Sequence, residues 1–114
     1  MTAVPARMTC AALLAWSLAV AGTSAQVSPA QRDLCATGEA SARVAACTQQ
    51  LGQRALAGDA RIRALVNRAL AQEELQQLDP ALKDLQAALD LDQTNTLALS
   101  TRAVILHRNG RSAD

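Results

Sequence analysis

Laid over itself at an offset of 34 residues, the chain matches along one stretch. Ala64 falls on Ala98, Leu65 on Leu99, Arg68 on Arg102, Ala69 on Ala103, and Leu70 on Val104. A helix recurring at that interval, with a turn and another helix between, cannot bury its apolar stripe alone. It must stack on its neighbours, and the repeat therefore restricts the fold to arrays of packed helices. Nothing else in the chain argues otherwise. No segment alternates apolar and polar residues with period two, the pattern a half-buried strand requires. The expected class is all-α.

The first 25 residues read as a signal peptide rather than as part of this fold. Arg7 supplies the positive start, Cys10 to Ala21 is an almost unbroken apolar run, and "AGTSA" (21–25) ends in small residues. The run falls short of the roughly 20 residues a membrane span needs. Cleavage after Ala25 leaves 89 residues and removes one of 11 basic residues, so that 10 face 10 acids. A neutral chain has no electrostatic pull toward nucleic acid or an anionic membrane surface. No membrane insertion is expected after cleavage. The only aromatic residue, Trp16, leaves with the signal. The core must then be built from Leu, Ile, Val and Ala.

Export also changes the cysteine arithmetic. Cys35 and Cys47 remain, an even pair in a small chain routed out of the reducing cytosol, and a structural disulfide between them is the expected form. Their spacing is not Cys-x-x-Cys, and they have no neighbouring histidine with which to bind zinc. No metal or other cofactor is implied. The chain is expected to work in a bacterial periplasm or as a secreted protein.

Punctuation marks the helices. Ser28, Pro29 and Gln31 open a short one that carries Leu34 and Cys35 and stops at Thr37–Gly38. A second is expected over Ala40–Leu56 with Ala40, Val44, Cys47, Leu51 and Ala55 on one stripe, closed by Gly58. Asp59 is read as the cap of a third, Ala60–Leu75, whose broad apolar face holds Ile62, Leu65, Val66, Ala69 and Leu70. After Gln76–Leu78, Asp79 caps a fourth that begins at Pro80. There Ala81, Leu82, Leu85, Ala88 and Leu89 share one face, while Lys83, Asp84, Gln86 and Asp90 fall on the polar remainder. A fifth runs from Thr96 to Arg108 and closes at Asn109–Gly110. The expected organisation is a 1–25 signal, a bridged helical pair over 26–58, and a repeat plus the first helix of a second over 59–114.

With these residues in place, the chain resembles the tetratricopeptide repeat family across about 60–108. "NRALAQ" (67–72) is similar to the family's Asn-Arg-Gly-x-Ala-Tyr, and "ALKDLQAALDLD" (81–92) to its Ala-Ile-x-Asp-Tyr-x-x-Ala-Ile-x-Leu-Asp. Leu65 takes the place of the large residue early in the first helix, and Ala69 that of the small one at the closest approach. Ala81, Leu85 and Ala88 correspond in the second helix. Gln72 stands where the family usually has tyrosine, and Gln93 where it usually has proline. "ARVAACTQQL" (42–51) resembles the lead-in helix of small exported bacterial relatives. The resemblance implies antiparallel hairpins stacked as a short solenoid that binds a protein or peptide. Its concave surface would carry Arg63, Asn67, Leu70 and Glu74, with Leu97, Thr101, Val104, His107 and Arg108 from the last helix. Asn67 is singled out, because an amide can hydrogen-bond an extended backbone in both senses.

The last helix is apolar on nearly every side, unlike a terminal helix with a polar outer face. The alternative function is therefore docking, with Ile105 and Leu106 as contacts for another protein or a second copy. An enzyme is not expected. His107 is the single histidine, with no nucleophile or oriented carboxylate beside it, and Glu73 and Glu74 point about 100° apart on one helix.

Overall fold

The structure, a computed structural model, describes residues 34–111. The signal segment, the cap at Ser28–Gln31 and the tail beyond Arg111 lie outside the described residues. Among those described, every regular element is helical and none is a strand. Residues 34–36 are helical, after which Gly38 takes a positive φ of 102° and the chain turns. Four helices follow: α1 (Ala40–Leu51), α2 (Gly58–Glu74), α3 (Leu78–Leu91) and α4 (Thr96–Arg108).

Short connections fold each helix back on the one before. α2 packs against both α1 and α3, and α4 packs against α3 and α2. One core joins Ile62, Leu65, Val66 and Ala69 of α2 with Ala81, Leu85, Ala88 and Leu89 of α3 and Ala98 and Ile105 of α4. A smaller cluster sits at the front, where Cys35 and Cys47 meet Ala64, flanked by Leu51 and Leu56. The two cysteine sulfurs are 2.12 Å apart, the bridged pair expected from the sequence. Alanine at the contact positions lets the helices approach closely. It is fully buried at 69, 81, 88 and 98.

α1 is shorter than expected, ending at Leu51 rather than Leu56. Arg61, one turn into α2, reaches back and donates to the carbonyls of Leu51 and Leu56 at 3.2 and 3.3 Å. It thereby satisfies a backbone acceptor that the end of α1 leaves open. Ala55 accordingly lies in the exposed loop, off the stripe assigned to it. Gly58 has its positive φ, 59°, but it opens α2 instead of closing α1. Asp59 and Asp79 lie inside the first turns of α2 and α3 and make no cap hydrogen bond. There a carboxylate still opposes the positive end of the helix dipole. α4 keeps its expected bounds, with Asn95 Oδ1 accepting from the Ala98 amide at 3.0 Å.

The two helices related by the 34-residue offset also end alike. In α4, Gly110 N donates to the His107 carbonyl and Arg111 N to the Leu106 carbonyl, with Gly110 at φ 72°. In α2, Gln76 N donates to Glu73 and Gln77 N to Gln72, with Gln76 at φ 64°. Both are Schellman ends, in which a left-handed residue lets the chain close on the last carbonyls. Gln76 pays there for a Cβ that Gly110 lacks. Gln76→Gly is expected to stabilise the chain by about 0.5–1 kcal/mol, the strain relief outweighing the freer unfolded chain. A denaturant midpoint that stays put or falls would contradict the strain.

Two docking residues expected at the surface are not there. Ile105 is fully buried and Leu106 nearly so, because Ala98, Thr101 and Ile105 form the stripe that α4 turns inward. The large apolar residues that α4 leaves exposed are Leu97, Leu99 and Val104.

Candidate functional site

The front of α2 forms one wall of a cleft of about 380 Å³. Gln50 at the end of α1 and Leu56 in the loop face Arg63 and Asn67, one helical turn apart on α2, while Cys35 and Ala64 line its base. The cleft exists because Arg61 holds the loop back and the bridge anchors residues 34–36 to α1. It presents a cation and two amides beside apolar surface. Such a lining can take a carbonyl or carboxylate at Arg63, and a peptide N–H or C=O at Asn67.

The remaining residues assigned to a concave surface do not line this cleft. Leu70 is half-buried against the core. Glu74 forms an ion pair with Arg43 of α1, a largely buried side chain, so α1 rather than solvent occupies one side of it. Thr101 is buried, which removes it from any contact surface. Leu97, Val104, His107 and Arg108 are exposed along α4, and Arg108 reaches Glu73 at 3.6 Å.

One group the sequence reading placed on the polar side turns out to organise the helices. Asp84 is buried on α3 and accepts two hydrogen bonds from Arg68 of α2, Nε to Oδ2 at 2.7 Å and Nη2 to Oδ1 at 2.6 Å. Arg68 Nη1 also donates to Thr48 Oγ1 of α1 at 3.1 Å. A planar fork with donors on several sides can tie three helices at once, as a lysine could not. The hydrogen bond to Asp84 raises the Arg68 pKa against the lowering effect of burial, with the charge of Asp84 adding to the rise. Asp84 stands at the aspartate of the Ala-Ile-x-Asp-Tyr pattern, but that match did not point to Arg68 as its partner.

Among the described residues, no group of three His, Cys, Asp or Glu side chains could hold a metal ion. No helix there is long and apolar enough to cross a membrane. No family model, curated protein or solved structure matches the chain.

Proposed function

We propose that this chain is an exported interaction module of tetratricopeptide type that binds an extended peptide segment of a protein partner. The observation that carries the reading is the pairing of like with like at the 34-residue offset. Ala64 is buried beside the cysteine bridge under α1, and Ala98 is buried in the core against α3. α2 and α4 close on the same Schellman end. The order of packing, each helix on the next and α4 back on α2, is the order a stack of hairpins requires. A bridged cysteine pair is the form expected in an oxidising compartment, which fits a periplasmic or released protein.

The cleft beside Arg63 and Asn67 is the binding surface in this reading. Its chemistry is recognition, with groups that hold a backbone and none that would break a bond. The test is a crosslinking pull-down from an envelope fraction, repeated with Arg63→Glu and Asn67→Ala. Losing one charge-assisted contact costs about 1.5–3 kcal/mol, so a captured partner is expected to bind Arg63→Glu at least roughly tenfold more weakly. Capture indifferent to both substitutions would remove the cleft from the proposal.

A second reading, a subunit that assembles through α4, draws on the exposure of Leu97 and Val104, two turns apart on one side of that helix. Exposed apolar residues grouped in this way commonly mark an interface.

A further inference from the structure

The chain holds three asparagines, and only Asn109 precedes a glycine. A backbone nitrogen can attack the preceding asparagine side chain where no Cβ crowds the approach and φ and ψ turn freely, and glycine provides both. Asn95 precedes Thr96, whose branched Cβ hinders the same approach. Asn67 lies in mid-α2, where helical hydrogen bonding fixes the Arg68 amide.

In the folded chain the reacting groups at 109 and 110 are engaged elsewhere. Asn109 Nδ2 donates to the Ile105 carbonyl at 2.8 Å and to Glu73 Oε1 at 3.4 Å. The Gly110 amide, the nucleophile, is committed to the His107 carbonyl at 3.1 Å, and the Arg111 amide to the Leu106 carbonyl at 2.7 Å. Attack therefore waits for the last turn to open. Both Asn109 and Gly110 are exposed, so water reaches them when it does.

The same bonds decide what a carboxylate at 109 would do. It has no hydrogen to donate, and it faces two acceptors, the Ile105 carbonyl and Glu73. It also sets a negative charge at the negative end of the α4 dipole. Arg108, whose side chain is 60% exposed, offsets little of this across water.

We propose that Asn109 is a site of spontaneous deamidation, gated by the opening of α4's last turn, and that its acidic product releases this end of α4 from Glu73 of α2. In the open turn the Gly110 nitrogen attacks the side-chain carbonyl carbon of Asn109 and loses its proton. The bond from that carbon to Nδ2 breaks, ammonia leaves, and a succinimide ring closes. Water then opens the ring at either carbonyl, giving aspartate or a β-linked isoaspartate, with nothing oxidised or reduced. The proposal depends on neither the cleft at Arg63 nor the tetratricopeptide reading.

The test incubates the full chain at mildly alkaline pH and maps its peptides by mass spectrometry, with a free peptide of residues 105–111 as the unfolded reference. Acid is expected at 109 before 67 or 95, in both α- and β-linked forms. Conversion should run at least roughly tenfold slower than in the peptide, because opening precedes attack. Denaturant should erase that difference. The consequence is read separately from Asn109→Asp, in which the Gly110 and Arg111 amides should exchange hydrogen severalfold faster relative to their intrinsic rates. Adding Glu73→Gln, which puts a donor in place of an acceptor, should restore part of the protection. Folded chain converting at the peptide's rate would overturn the gating, and conversion first at 67 or 95 would remove the site. Exchange unchanged in Asn109→Asp would overturn the release.

Discussion

Asp84→Ala is expected to lower stability by about 2–3 kcal/mol. The substitution takes both acceptors from Arg68 and leaves a guanidinium whose side chain is only 21% exposed, with a hydrogen bond to Thr48 still in place. A fully enclosed pair would cost more to break, but Arg68 keeps enough contact with water to soften the loss. The same reasoning ranks two more exposed ion pairs lower. Arg108–Glu73 at 3.6 Å and Arg111–Asp79 at 4.0 Å involve well-exposed arginines, and Glu73→Ala or Asp79→Ala is expected to cost below about 1 kcal/mol. Replacing both members, Arg68→Met with Asp84→Leu, should recover most of the loss, because no uncompensated charge is then buried. Urea denaturation of the single and double variants checks this. An Asp84→Ala midpoint no lower than that of Asp79→Ala would show that the clamp does not hold the helices.

Asp84 also marks where the sequence stopped being readable. The period of 3.6 placed Ala81, Leu82, Leu85, Ala88 and Leu89 on one face, and all five are buried or half-buried. It placed Asp84 outside that face because a pattern of apolar residues has no place for a carboxylate whose partner is on another helix. α4 shows the converse failure. Its residues are apolar around most of the circumference, so periodicity gave no direction, and Ile105 and Leu106 were assigned outward although they point into the core. What sets the inward side is the groove between α2 and α3, a tertiary fact. The end of α1 is met by Arg61 reaching back ten residues to Leu51, again beyond a local reading. By contrast α4's bounds followed from Asn95 and Gly110, whose effects are local. At the candidate site, Arg63 and Asn67 share the cleft because they are one turn apart. Thr101, Leu70 and Glu74 do not join them, since packing against neighbouring helices redirects each.

Reducing the Cys35–Cys47 bridge is expected to cost about 3 kcal/mol, from the chain entropy released when a loop of 12-residue separation is opened. For a domain this size that is roughly 10–20 °C in Tm. The cross-link, not the packing of sulfur, accounts for nearly all of it. Both cysteines are essentially fully buried, and as thiols they would still fill the same space as small apolar groups beside Ala64. Cys35→Ala with Cys47→Ala should therefore match the reduced chain to within about 1 kcal/mol, the difference being the small volume lost. The damage should also be local. Residues 34–36 are joined to the remainder through this bridge and the front cluster, whereas α2, α3 and α4 share the larger core. Hydrogen exchange after reduction is expected to speed up in α1 and at the front of α2, with the amides of α3 still protected. The cleft wall at Cys35 and Gln50 would loosen with α1, so partner capture at Arg63 should weaken on reduction. Exchange that accelerates evenly along all four helices would mean that the front pair and the repeat behind it unfold as one unit, and that the bridge stabilises the whole rather than shaping the cleft.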